Sequence, residues 1–174
     1  MEWMILPLRR YFDFSGRSRR KEYWMFVLFC AIVRILLLFL DNMLGLGGQV
    51  TRYFVHQPGA FGAGGAASGG ILSGIFSLAV IIPTIAVGVR RLHDIDRTGW
   101  WMLAFFLAFA LGGLSMVAGG VASMLAGGAL ILVGGVLAIL LIVWACLDGT
   151  RGSNRFGPDP KGGSDLSNLQ DTFR

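Results

Sequence analysis

The chain has 174 residues, of which 55% are hydrophobic and only 14% charged, with a formal net charge of +5. A soluble domain carries about 25% charged residues, so water is excluded as the solvent for most of this surface and a bilayer takes its place. The basic excess gives a pI near 9.9, but it is spread over segments flanking apolar runs and follows no nucleic-acid reading motif, which excludes DNA and RNA as partners.

In chain order, residues 1–22 form a basic, amphipathic segment. Its opening "MEWMILPLRRYFDF" mixes Trp3, Ile5, Leu6, Leu8, Tyr11, Phe12 and Phe14 with arginines, a composition suited to the headgroup boundary, with a frayed terminus as the alternative. Residues 23–40 are the first span, opened by Tyr23 and Trp24 and closed by Asp41 and Asn42. This run exceeds the apolar core of a signal peptide and no small-residue cleavage pattern follows it, so it reads as an uncleaved span. Its one basic residue, Arg34, lies about 15 Å beyond Trp24, near mid-bilayer. The second span, 71–89, carries Pro83, which leaves the carbonyl of Ala79 without its helical donor. Arg34 is therefore expected to face the bundle and donate to Ala79, with snorkelling toward Asp41 as the competing reading.

From Trp101 to Leu147 there is no Asp, Glu, Lys or Arg. As one helix this run would be roughly 70 Å long, against a hydrocarbon core of ~30 Å, so the chain must reverse within it. Four glycine pairs offer turning points, and the need for two full spans selects Gly119 to Ser123, giving spans 100–118 and 124–147. The other glycines then allow close helix approach. Cys30 and Cys146 fall within spans and read as packing residues.

The transmembrane domain is thus 23–148, followed by a turn-rich tail, 149–174, ordered at first and disordered beyond Lys161. Arginine and lysine crowd before the first span, between the second and third, and after the fourth. The connector 41–70 has only Arg52. The positive-inside rule then predicts an all-α integral membrane protein of four transmembrane helices with both termini cytoplasmic, in a bacterial inner membrane.

Three polar blocks would meet at the cytoplasmic helix ends. Arg17, Arg19, Arg20 and Glu22 come from the first, Arg90, Arg91, His93, Asp94 and Arg97 from "RRLHDIDRTGWW", and Asp148 and Arg155 from the last. Catalysis or metal binding would need His93, Asp94 and Asp96 to converge with Glu22, Asp148 or Asp159, in a neighbourhood whose arginines repel cations. The structural reading has Asp94, Glu22 and Asp148 neutralising Arg17, Arg19, Arg90 or Arg91 and fixing the helix ends. Surplus arginine at headgroup level also suits anionic lipid, each basic residue contributing about 1 kcal/mol. The function expected is that of a non-enzymatic membrane protein, without cofactor, binding anionic lipids and a protein partner or second copy. The alternatives are an oligomeric small-solute or ion transporter, drawn from Arg34, Pro83 and the helix glycines, and a membrane-embedded enzyme using His93 and Asp94.

The blocks "FDFSGRSRRKEYWMF", "RRLHDIDRTGWW" and "GTRGSNRFGPDP" together resemble the signature of the domain-of-unknown-function 805 (DUF805) family, the YhaH/YhaI-like bacterial inner membrane proteins. The resemblance covers Phe12 to Pro160 and rests on Gly16, Arg17, Arg19, Arg20, Glu22, Arg90, Arg91, His93, Asp94, Gly99, Gly149, Asn154 and Gly157, among others. It implies a small helical membrane protein and brings no molecular activity with it. Asp96 and Thr98 depart from the small residues expected at their positions.

Overall fold

A computed structural model describes residues 2–47, 50–57, 60–67 and 69–161, with 50–57 and 60–67 described by their backbone alone. The elements are α1 (Glu2–Arg9), α2 (Arg20–Met43), β1 (Val50–Gln57), β2 (Ala60–Ala67), α3 (Ile71–Asp94), α4 (Trp100–Val117) and α5 (Val121–Cys146). Helices α2, α3, α4 and α5 are each long and apolar enough to cross a membrane. The end of the tail, expected to be disordered, lies outside the described residues, as does the side chain of His56.

The chain divides into two compact units, residues 27–81 and residues 1–26 with 82–174. In the first, the connector carries something the sequence reading left out. β1 and β2 pair antiparallel from Val50↔Ala67 to Gln57↔Ala60, adding a hairpin to the helices. The β1 sequence VTRYFVHQ is rich in β-branched and aromatic residues, the types that fit a pleated surface. The glycine- and alanine-rich β2 gives no such signal.

The same unit holds a long-range helix cap. Asp41 is 1% exposed, and its two carboxylate oxygens accept the backbone N–H groups of Leu72 and Ser73, each at 2.9 Å. Its own carbonyl accepts from Leu46 and Gly47 at 2.8 and 3.0 Å. One residue thus serves the end of α2 and the otherwise unmet first turn of α3, where a negative charge also meets the positive end of the helix dipole. A Cβ on Gly70 would fall 2.1 Å from the Asp41 carboxyl carbon, so the approach requires glycine there.

Arg34, also in this unit, is exposed on α2. The tie to the Ala79 carbonyl expected from sequence is not among its described contacts.

In the second unit, α4 and α5 form an antiparallel pair joined through Ala118, Gly119 and Gly120, the two glycines taking φ of 75° and 89°. Close packing rests on one member of each of the three glycine pairs outside that turn. A Cβ on Gly127 would sit 2.8 Å from the Gly112 carbonyl oxygen, and one on Gly134 would sit 2.8 Å from the Phe109 ring. Gly113 and Gly135 face open space. Small residues on one face let the backbones touch where bilayer and side chains are equally apolar.

Candidate functional site

The three polar blocks meet within the unit formed by residues 1–26 and 82–174, where α2 begins, α3 ends and α5 ends. Among the described residues, six polar ones are buried there: Arg17, Ser18, Glu22, Arg90, Arg91 and Asp94. They form two separate arrangements.

The first is centred on Asp94, the last residue of α3. Arg17 donates through Nε to Asp94 Oδ1 at 3.0 Å, and Arg91, one turn earlier, donates through Nη1 to Oδ2. A carboxylate at a helix C-terminus opposes the helix dipole, and two guanidiniums offset that cost. Each arginine also binds the chain that follows α5. Arg91 donates to the carbonyls of Ala145, at 3.2 Å, and Leu147. Arg17 donates to those of Thr150, at 2.5 Å, and Gly152, at 2.6 Å. The Asp94 carbonyl in turn accepts the Thr150 amide at 2.8 Å. Gly149 passes so close that a Cβ would lie 2.1 Å from Asp94 Oδ2. The result is a knot: two charges hold a third, and spare N–H groups satisfy carbonyls that the end of α5 leaves without helical donors.

The second arrangement is one residue away. Arg90 and Glu22 are an ion pair at 3.5 Å, both side chains at most 4% exposed. Arg90 Nε reaches the Ala86 carbonyl at 3.4 Å. Among the described residues Arg90 Nη1 and Nη2, Glu22 Oε1 and Ser18 Oγ have no hydrogen-bond partner. Ser18 is placed by its own amide, which donates to the Arg90 carbonyl at 3.1 Å.

Around these lies a rim. Arg20 bridges the Cys146 carbonyl at 3.0 Å and Asp148 at 2.5 Å, and Lys161 reaches Asp148 at 3.2 Å. The hydrogen bond from Lys161, with Arg20 adding to it, holds the Asp148 carboxyl below the usual carboxylate range. Asp159 is lowered too, by the backbone N–H groups of Lys161 and Gly152. Arg19 lies over the Trp3 ring of α1 and donates to the Pro160 carbonyl. Arg97 lies over Trp144, 5.3 Å from the ring centre.

His93 takes no part in the knot. Its Nδ1 sits 3.2 Å from the Gly16 carbonyl and its ring stacks on Phe156 at 3.9 Å. Asn154 donates to the His93 carbonyl at 2.9 Å. The following turn has the bonds of a Schellman motif, Arg97 N–H to the Leu92 carbonyl and Asp96 N–H to that of His93. Asp96 therefore holds the left-handed position, φ 58°, where glycine is usual. Arg155 bonds both its carboxylate, at 2.9 Å, and its carbonyl, at 2.7 Å.

The sequence-derived cluster is thus divided rather than pooled. Arg17, Arg91 and Asp94 come together, Glu22 and Arg90 pair separately, and Arg19, Arg20, Asp148, Arg97, Arg155 and His93 serve the rim. Among the described residues, no three His, Cys, Asp or Glu side chains converge as metal ligands would. Sequence reasoning did not assign Thr150, Gly152, Asn154 and Phe156 to the site. Their block was visible, but Thr150 and Gly152 act mainly through backbone groups, and Asn154 and Phe156 through contacts to His93 that spacing does not show.

Comparison with known proteins accords with this architecture. The model of a family described as "Protein of unknown function (DUF805)" matches residues 11–158. "Inner membrane protein YhaH" of Escherichia coli (strain K12) is 38% identical over 164 residues, covering 92% of this chain and 98% of its own length. "Inner membrane protein YhaI" of the same organism is 37% identical over 164 residues, covering 94% and 99%. No solved structure matches.

Proposed function

Because the chain belongs to the DUF805 family of unknown function, as a multi-pass protein of the bacterial inner membrane, we propose that its role is non-enzymatic: the polar knot orders the cytoplasmic helix ends and presents basic side chains to anionic headgroups. The observation that carries this reading is the engagement of Arg17 and Arg91. Their guanidiniums are spent on Asp94 and on the carbonyls of residues 145, 147, 150 and 152. Asp94, the carboxylate an enzyme would use, has both oxygens engaged, Oδ1 by Arg17 and Oδ2 by Arg91, which leaves neither facing a substrate.

What remains outward is basic. Arg9, Arg10, Lys21, Arg97 and Arg151 are exposed, and the N-terminal segment that carries Arg9 and Arg10 also exposes Ile5, Phe12 and Phe14. Apolar side chains beside cations suit a leaflet surface that carries negative charge. The positive-inside rule assigns that leaflet to the cytoplasm, with the connector 41–70 on the far side.

Reconstitution tests the reading. In phosphatidylcholine nanodiscs containing an anionic lipid, thermal stability rises above that in phosphatidylcholine alone, and the gain shrinks with added salt. Equal stability in both rejects the lipid role, and a tag near Gly64 reporting the cytoplasm rejects the orientation.

A further inference from the structure

The knot and the ion pair leave one chemically distinctive side chain unused. His93 is rigid: its ring stacks on Phe156 with 4° between planes, and the Arg155 guanidinium lies 4.8 Å from the Phe156 ring centre. Its tautomer is also set. The Gly16 carbonyl beside Nδ1 can only accept, so Nδ1 carries the proton. In a neutral imidazole that makes Nε2 an acceptor, and none of the described hydrogen bonds uses it.

His93 borders a cleft of about 350 Å³ whose other walls include Val89, Thr98, Trp100, Leu103 and Phe156. That volume falls within the ~300–1,000 Å³ of small-ligand sites, which combine apolar walls with a few polar groups that fix orientation. Trp100 opens α4 and is 72% exposed, the arrangement of an aromatic residue where acyl chains give way to headgroups. An occupant here is therefore part acyl chain and part headgroup.

We infer that this cleft binds the headgroup of an anionic, hydroxyl-bearing phospholipid of the phosphatidylglycerol type, with His93 Nε2 accepting a hydrogen bond from a headgroup hydroxyl. Three observations narrow the chemistry. The free acceptor on His93 requires a donor, which a choline headgroup lacks. Among the described residues no carboxylate lines the cleft, so an ammonium headgroup finds no counter-charge. In the loop that adjoins the cleft the one acid, Asp96, is already paired with Arg155 from the segment after α5, which leaves the charge of Arg97 to favour a phosphate nearby.

This site deepens the lipid reading above and rests on it, so the test separates the two. The full chain is placed in phosphatidylcholine nanodiscs doped with equal fractions of phosphatidylglycerol and phosphatidylserine, which carry the same net charge but differ in the glycerol hydroxyls. Lipids retained after extraction are measured by mass spectrometry. The expected result is about threefold enrichment of phosphatidylglycerol over phosphatidylserine. His93→Leu abolishes it, and His93→Gln, which keeps an acceptor, retains part. Equal retention of both lipids overturns hydroxyl recognition while the general anionic preference stands. Retention of neither overturns both. Should His93→Leu fail to accumulate, the imidazole ¹⁵N resonances of the wild-type chain decide: Nε2 shifts with phosphatidylglycerol and not with phosphatidylserine, and identical spectra reject the site.

Discussion

Arg90 and Arg91 are adjacent on α3 and equally buried, yet one is fully partnered and the other is not. Arg91 donates to a carboxylate and to the carbonyls of Ala145 and Leu147. Arg90 reaches one carbonyl of its own helix and stands 3.5 Å from Glu22, with both its Nη groups unmet among the described residues. Successive helix residues point about 100° apart, so the two side chains face different neighbours. Arg91 faces the C-terminus of α5, where the last carbonyls have no helical donors. Arg90 pairs with Glu22 in the first turn of α2, and a helix interior offers few spare acceptors. What distinguishes the arginines is the supply of acceptors, not the depth of burial.

The comparison is broken most severely at Asp94. Asp94→Asn removes the countercharge of two buried guanidiniums, and Arg91→Gln leaves Asp94 with Arg17 alone and the Ala145 and Leu147 carbonyls without their donor. Each change is expected to cost about 3–5 kcal/mol, as when one member of a buried ionic network is removed. Thermal unfolding in detergent reads the loss, and limited proteolysis after Arg151 shows the tail released with it. Near-normal stability in Asp94→Asn would mean that the knot does not order this end.

Glu22 and Arg90 should respond differently. Glu22→Gln or Arg90→Met alone destabilises by a few kcal/mol, whereas Glu22→Leu combined with Arg90→Met is expected to be neutral or stabilising by about 1–4 kcal/mol, because an imperfect buried pair gives way to apolar packing. No such rescue is expected for Arg91→Met with Asp94→Leu, since the Ala145 and Leu147 carbonyls would lose their donor. A double-mutant comparison in which both pairs behave alike would remove the distinction between them.

A smaller effect belongs to the rim. Asp148 and Asp159 have carboxyls lowered in the folded state, so their contribution is present above the ordinary carboxylate pKa near 3.8 and fades as pH falls through the lower folded values. Tail protection against proteolysis should therefore be unchanged from neutral pH to about pH 5 and lost only below the ordinary carboxylate range. Asp148→Asn should remove little, as for other exposed pairs. Loss of protection already at pH 6 would point to a different group.

The four spans were legible because a bilayer demands long apolar runs, and the polar blocks because most charges gather at the ends of such runs. The pairing was not. Sequence offers several arginines to Asp94, Glu22 and Asp148, and spacing cannot say that Arg17 and Arg91 share one acid while Arg90 takes another. The main acceptors of Arg17 are backbone carbonyls, which every residue possesses. Asp41 reads locally as the end of a span, and only the fold brings it to Leu72 and Ser73, 31 and 32 residues on. Asp96 hides its turn because glycine is the usual sign of a left-handed residue. The hairpin was missed because only one of its strands has strand-forming composition.

Arg34 completes the series at the opposite extreme from Arg91, since it is exposed on α2. Side-chain exposure on a spanning helix means lipid, and a central arginine facing lipid costs about 3 kcal/mol on insertion scales unless its long stem carries the charge toward an interface. That cost is borne in the inserted state whether or not the bundle has formed. Arg34→Leu should therefore leave folded stability in detergent within about 0.5 kcal/mol of wild type, as for surface positions, while raising the fraction of chain inserted. The two readouts are separable: thermal unfolding of purified protein reports the first, and glycosylation-site or protease mapping of the inserted fraction reports the second. A drop in stability of more than 1 kcal/mol in bilayers but not in detergent would show that Arg34 meets an acceptor outside this chain, and the ordering of arginines by acceptor supply would then extend to a partner in the membrane.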